Sequence, residues 1–382
     1  MNVTATVKNI GVNDYDIDLF ENQFPVSHGM SYNSYLILDE KKMVVDSVEI
    51  SFRDQWFAAI EEVLGQEAPD YLLVLHMEPD HSANIAAFME KYPKATIVSS
   101  AKAFGIMKNF FGTDYSQRRI VIADQDTLNL GNRTLTFYSA PMVHWPEVML
   151  AYDDQDQILF SADAFGKFGT RDWEDDWFTE ARRYYFCIIS KFNAQMQAAL
   201  KKTEALEIKR ICSLHGPVLD QNIEQYMDAY KKWSSYTPEK EGTVIAYASF
   251  YGNTERAVSE LKKVLCENGK EVVMHNLARC EMSAAVADAF CYNNLVLASP
   301  TYNGDVFPQM RTFLEHLTTR GFRNRRVAMI ENGSWAPTAM RTMKQMMEAC
   351  PQISYTDTEI KILSAMSDDN RKELEQLSLE LV

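Results

Sequence analysis

Short apolar runs separated by polar loops organise the first two-thirds of the chain. Tyr71, Leu72, Leu73, Val74 and Leu75 read as a buried strand. Leu135 to Tyr138, Ile158 to Ser161 and Ile211 to Leu214 read the same way, each ending at a polar turn. Asp153, Asp154, Gln155 and Asp156 lie between two such runs and predict a hairpin. A helical pattern covers about 179–202, and the charged stretch 171–177 before it reads as a solvated loop. Beyond residue 242 the pattern becomes a regular alternation of strand and helix. Strands are expected near 243–248, 271–275, 294–298, 326–330 and 359–363, the signature of a doubly wound parallel sheet. The polar, proline-containing stretch 234–242 separates the two patterns and divides the chain into domains 1–240 and 241–382. At 382 residues the chain is too long for one ordinary core.

Composition narrows the class. A formal charge of −15 argues against binding to nucleic acid phosphates. No apolar run approaches the roughly eighteen residues that a membrane helix requires, and no basic-then-apolar leader opens the chain. The six cysteines are scattered without a Cys-x-x-Cys pair, which points to a reducing cytoplasm and excludes a four-cysteine iron site in this sequence. Met340, Met343, Met346 and Met347 recur at helical spacing and read as packing residues.

Candidate chemistry gathers at strand ends. His76, Glu78, Asp80 and His81 place four potential metal ligands within six residues, directly after the strand-like run 71–75. His144, Asp163 and His215 each follow a later apolar run. Seven such ligands can hold two metals, three on each with one carboxylate shared. His28, before Gly29, is a candidate supporting residue beside that site, whereas His275 and His316 read as ordinary polar positions.

The pattern resembles a known family. Metallo-β-lactamase-like hydrolases carry His-x-His-x-Asp-His, and here Glu78 replaces the second histidine. His-x-Glu-x-Asp-His, followed by separate His, Asp and His, is similar to the flavodiiron proteins, or A-type flavoproteins. A carboxylate in place of an imidazole makes the site harder and more anionic, which suits iron better than zinc. The C-terminal region carries the resemblance further. Ser249, Tyr251, Gly252, Asn253 and Thr254 form a hydroxyl- and amide-rich turn between a strand and a helix, a ready phosphate cradle. Ser299, Pro300, Thr301, Tyr302, Asn303 and Gly304 form a second such loop, and Asn332, Gly333, Ser334 and Trp335 a third. These are the places where a flavodoxin-like sheet binds FMN, with Tyr302 and Trp335 as candidates to flank the ring, the alternative being core or rim aromatics.

The resemblance covers nearly the whole chain and implies the minimal two-domain class. Its fold would be a metallo-β-lactamase-like αββα sandwich followed by a flavodoxin-like doubly wound sheet. By similarity, His76, Glu78 and His144 would bind one iron, Asp80, His81 and His215 the other, and Asp163 would bridge them. The implied activity is reduction of dioxygen to water, of nitric oxide to nitrous oxide, or both. FMN would feed electrons from an external donor such as rubredoxin. A head-to-tail homodimer or a tetramer is also implied. Two rival readings are a binuclear hydrolase fused to a flavodoxin-like domain and a flavodoxin carrying an inert partner domain. Glu78 disfavours the first, and the complete ligand set disfavours the second.

Overall fold

The computed structural model describes residues 2–381. The chain folds as two compact units, Met1–Lys231 and Lys232–Val382. In the first, one sheet has six strands in the order Val7–Asn9, Tyr35–Ile37, Met43–Val45, Tyr71–Leu73, Thr96–Ser100 and Arg119–Ile122. Its first two pairings are antiparallel and the other three parallel. A second sheet orders Thr127–Asn129, Thr134–Ser139, Met149–Asp153, Ile158–Phe160 and Arg210–Cys212, with only the last pairing parallel. The inner faces meet where the Tyr35 ring packs edge-on against Phe160, with centroids 5.5 Å apart. Helix Arg53–Leu64 buries Trp56, Phe57, Ile60 and Leu64, a stripe at helical spacing. Trp56 Nε1 then donates to Ser34 Oγ at 2.9 Å. This is the expected αββα sandwich.

Two expectations for this unit need correction. The helical pattern at 179–202 is not one helix. Helix Phe178–Tyr184 runs into a π turn, Tyr185–Ile189, then a 3-10 turn, Ser190–Phe192, then helix Asn193–Thr203. Nor is the stretch 171–177 simply solvated. Its acidic residues are exposed, but Trp177 is buried and Trp173 lies flat on His28, with ring centroids 3.8 Å apart. On Trp173 also sits the ammonium of Lys167, a fully buried residue that pairs with Asp175 at 2.6 Å. A buried cation needs a carboxylate beside it, and that need pins the loop.

The second unit is a parallel sheet in the order Val272–Asn276, Lys240–Tyr247, Tyr292–Tyr302 and Arg325–Asn332. Its fifth position, expected as one strand near 359–363, holds two short segments. Ile353–Tyr355 and Ile360–Ile362 both pair with Arg325–Asn332. Val327 faces Tyr355 and Ile330 faces Ile360, so three steps on one strand oppose five on the other and the pairing breaks between them. Strand order 2-1-3-4-5 is that of a flavodoxin-like sheet. Helices Asn253–Glu267 and Asp368–Glu380 cover one face, burying Val258, Leu261, Leu374 and Leu377 against Ile245, Val296 and Ile330. Met340, Met343 and Met347 are buried on helix Ala339–Met347, as packing residues should be. Arg325 Nη1 donates to the Tyr236 carbonyl at 2.7 Å, and the Tyr236 ring packs near Phe290.

Candidate metal centre and flavin pocket

The loop after strand Tyr71–Leu73 is fixed from below by Asp46. Its carboxylate accepts the Leu75 and His76 backbone N–H groups at 2.8 and 3.2 Å. Pro79 then opens a single helical turn, Pro79–Ser82, with Glu78 as the residue before it. The extended Glu78 and the helical residues 80–81 therefore send their side chains in two directions. Two donor groups result: His76, Glu78, His144 and Asp163 in one, Asp80, His81 and His215 in the other. Within each, the ligand atoms lie within 4.8 Å of one another.

Asp163 faces both groups. Its Oδ2 lies 3.0 Å from His144 Nε2 and 3.4 Å from His76 Nε2. Its Oδ1 lies 3.4 Å from His81 Nε2 and 3.8 Å from His215 Nε2. Glu78 Oε2 approaches His144 and His76 at 3.0 and 3.3 Å, and Asp80 Oδ2 approaches His81 and His215 at 3.2 and 3.5 Å. All four imidazoles thus turn Nε2 inward. Two are held there through their far nitrogens. His76 Nδ1–H donates to Glu147 Oε1 at 3.0 Å, and His215 Nδ1–H to the Ser31 carbonyl at 2.8 Å. The Nδ1 of His81 is buried without a hydrogen-bond partner.

Burial and mutual charge set the protonation of these groups. Burial pushes Asp163 up, but the His76 charge and the hydrogen bond from His144 outweigh it and hold the carboxyl well below its usual range. Glu78 is likewise lowered, against its burial, by hydrogen bonds from His144 and His76. Burial lifts Asp80 to about 7 and, together with the His81 charge, lowers His215 to about 4. His144 rises to about 9 because hydrogen bonds with Asp163 and Glu78 outweigh its burial. Both oxygens of Asp80 and the Oδ1 of Asp163 are buried with no hydrogen-bond donor. Carboxylate oxygens so placed, among inward-turned imidazole nitrogens, are satisfied by a cation and by little else. The residues fit a pair of metal ions, and a mixed N/O set without thiolate suits iron.

Three neighbours were missed in the sequence. Glu147 also accepts the Met77 N–H at 2.8 Å, and only its place after the His144-Trp145-Pro146 turn could have flagged it. Ser31 acts through its backbone, which leaves no side-chain signal. Glu21, on the hairpin Leu19–Phe20/Phe24–Pro25, is largely exposed, yet its carboxyl lies within electrostatic reach of Glu78. Partial burial and the Glu78 charge push it up to about 7. The hairpin is seated by Phe20, whose ring packs edge-on against His215 at 5.4 Å. His28, by contrast, is not drawn into the cluster: its exposed ring is committed to Trp173.

In the second unit a cavity of about 670 Å³ opens where the strand order reverses, between the loops after Lys240–Tyr247 and Tyr292–Tyr302. Ser249, Tyr251, Asn253 and Thr254 line it, as do Pro300, Thr301, Tyr302, Asn303 and Gly304, and Asn332, Gly333, Ser334 and Trp335. Two expected contacts fall outside. Gly252 instead supplies the left-handed turn (φ 84°) before helix Asn253–Glu267, and buried Ser299 accepts the Phe307 N–H. Phe250, Ala336, Thr338 and Ser364 join the lining unforeseen. Tyr251 and Trp335 are each 83% exposed and Tyr302 45%, so three aromatic faces stand free at the rim. The volume is within the ~300–1,000 Å³ of small-molecule sites. Neutral hydroxyl and amide groups beside a helix N-terminus suit a phosphate, and the aromatic rim suits a planar ring, so the residues fit a flavin mononucleotide.

Comparison with known proteins agrees with both halves. A family model described as ODP family beta lactamase matches residues 30–216. The nitric oxide reductase of Moorella thermoacetica is 28% identical over 360 residues, 91% of this chain and 89% of that protein. The crystal structure of the flavodiiron protein from Giardia intestinalis superposes with a TM-score of 0.91 at 25% identity, covering 99% of this chain and 95% of that one. The rubredoxin oxygen:oxidoreductase of Desulfovibrio gigas shares the fold at a TM-score of 0.90 and 22% identity, over 100% and 97% of the two chains. Two unlike units in this order, matched end to end by the same relatives, leave one conclusion: the chain is an oxidoreductase and belongs to the flavodiiron proteins.

Proposed function

We infer that this chain reduces dioxygen to water, nitric oxide to nitrous oxide, or both, at a diiron pair in its first unit. The observation that carries the reading is the double orientation of Asp163, one oxygen toward each imidazole group. His76, Glu78 and His144 would hold one iron, and Asp80, His81 and His215 the other, with Asp163 between them. Bound iron would polarise the diatomic substrate, and FMN in the cavity of the second unit would store the electrons that the reduction consumes. The protein's own work is to aim and to enclose. Glu147 and the Ser31 carbonyl hold His76 and His215 in the tautomer that presents Nε2, while Phe20, Tyr32 and Tyr184 pack around His215 and keep bulk water from it. Glu21 can keep a proton beside Glu78 near neutral pH.

Electrons would come from a donor such as rubredoxin, as the name of the similar rubredoxin oxygen:oxidoreductase suggests. Domains 1–240 and 241–382 are proposed as the diiron and FMN modules, working as a head-to-tail homodimer or a tetramer. Among the described residues no helix is long and apolar enough to cross a membrane, which is compatible with a cytoplasmic enzyme. The test is metal and flavin analysis followed by anaerobic turnover with each gas separately, using reduced rubredoxin. About two irons and one FMN per chain, with turnover of at least one gas, are expected. Two zinc ions and no gas reduction after iron reconstitution would overturn the reading. Asp163→Asn preserves shape but removes the shared charge, so both irons should be lost while FMN stays. Unchanged iron content in that variant would remove Asp163 from the centre.

A further inference from the structure

Asparagine followed by glycine occurs at 268–269, 303–304 and 332–333, each time in the second unit. Such a step is labile, because a glycine carries no Cβ to hinder its own nitrogen as that nitrogen attacks the asparagine Cγ. The structure separates the three steps by what the glycine nitrogen is doing. The Gly269 N–H donates to the Cys266 carbonyl at 2.9 Å, at the end of helix Asn253–Glu267. The Gly333 N–H donates to the Ile362 carbonyl at 3.0 Å, and buried Asn332 commits its own amide to the Ser364 carbonyl at 3.2 Å. The third step, Asn303-Gly304, forms a two-residue hairpin turn in which Tyr302 opposes Asp305 and both turn residues have positive φ, 50° and 73°. Among the described residues nothing accepts the Gly304 N–H, and no hydrogen bond holds the Asn303 amide. Both residues are exposed, and a Cβ built on Gly304 would meet nothing within 4 Å.

We propose that Asn303 is a self-modification site, whose product sets a carboxylate in the wall of the flavin cavity. The Gly304 nitrogen attacks the Asn303 Cγ, and the new N–C bond closes a cyclic imide as the Cγ–Nδ2 bond breaks. The Gly304 amide proton leaves with Nδ2 as ammonia. Water then opens the imide at either carbonyl and leaves aspartate or isoaspartate. A water is consumed and an ammonia released, and nothing is oxidised or reduced. Thr338 Oγ1 donates to the Gly304 carbonyl at 2.9 Å, a tie that steadies the turn but leaves the attacking nitrogen free. Asn303 lines the cavity beside Tyr302 and Gly304, so the product adds a negative charge where the anionic FMN would sit. This consequence rests on the flavin reading above, whereas the ranking of the three asparagines does not. Flavin in the cavity would cover the turn and slow the attack. Occupancy and modification therefore oppose each other: an empty cavity loses its amide, and the altered cavity holds flavin less well.

The full-length protein, with and without added FMN, would be incubated in heavy-oxygen water at mildly alkaline pH and mapped over days by peptide mass spectrometry. All three asparagines are read in the same digest. Asn303 should take up the label about fivefold faster than Asn268, where one hydrogen bond must open first, and about thirtyfold faster than Asn332, where two must. Added FMN should slow Asn303 and leave Asn268 unchanged. Asn303→Asp installs the product directly in a turn that Asp-Gly also suits, and it should weaken FMN retention on dialysis severalfold. Equal rates at the three sites, or Asn268 the fastest, would overturn the proposal. Parent-like FMN retention in Asn303→Asp would overturn its consequence for the cavity. The expected ranking in a protein that takes up no flavin would uphold the modification site and defeat the flavin reading instead.

Discussion

Glu147 does for His76 what a backbone carbonyl does for His215, and the difference makes Glu147 testable. Glu147→Gln keeps the shape but weakens the acceptor facing the His76 Nδ1–H. Loss of such a partner typically costs 10–100-fold in metal affinity. We expect about tenfold weaker metal retention in competition with a chelator, and full FMN content. Retention equal to the parent would mean that the imidazole is fixed by packing alone. At this scale the sequence was most readable where side-chain type carries the chemistry. His76, Glu78, Asp80, His81, His144, Asp163 and His215 stand out because each is a ligand type at the end of an apolar run, and the structure gathers all seven. Ser31 could not stand out, because any residue has a carbonyl. Gly166 could not either: a Cβ there would come within 2.9 Å of the Asp163 carbonyl and 3.2 Å of the His215 Cβ, a closeness that only the folded site creates.

Strands and helices were readable where periodicity alone decides them. The alternation after residue 242 fixes the five sheet positions, since parallel strands covered on both faces give continuous apolar runs. The π turn at Tyr185–Ile189 was hidden because one extra residue in a turn barely disturbs the apolar spacing on which a helix is recognised. The short strand Ile353–Tyr355 was hidden for another reason: all three residues keep contact with solvent, so no buried run marks it. One contact between elements has a pH signature. His275 ties the edge strand to helix Met282–Cys291 through Asp288. Its folded value is about 9 against an unfolded 6.5, so the tie stabilises the folded unit fully below about 6.5. The contribution fades as pH rises to about 9 and vanishes above it. On the order of 1 kcal/mol is expected at this partly exposed pair. Thermal release of flavin, followed by fluorescence, should therefore shift to lower temperature between pH 6.5 and 9. Asp288→Asn should flatten that slope, and a slope unchanged in the variant would assign it elsewhere.

For the molecule as a whole, the two units differ in how the chain supplies their sites. The flavin cavity belongs entirely to the second unit, so a fragment of that unit should fold and bind FMN. Where it begins matters. Tyr236 is buried, receives the Arg325 guanidinium on its carbonyl and carries the Arg323 guanidinium over its ring at 4.5 Å. A fragment starting at 232 should melt several degrees above one starting at 241, with equal FMN stoichiometry, as read by flavin-release fluorescence. Equal melting temperatures would make the stretch 232–240 a passive linker. The donors of the metal centre, in contrast, are strewn from residue 76 to residue 215, and the strand before His215 closes the second sheet only by pairing with Ile158–Phe160. The 139 residues from 76 to 215 take a ribosome roughly 7 to 28 s at 5–20 residues per second. Throughout that interval the loop at 76–81 emerges as an open chelator, with no Asp163 or His215 to choose its guest. Imidazole-bearing loops favour zinc over ferrous iron in raw affinity. Which ion finally settles between the sheets is therefore a contest run during synthesis, decided by what the cell keeps free while the polypeptide is still being made.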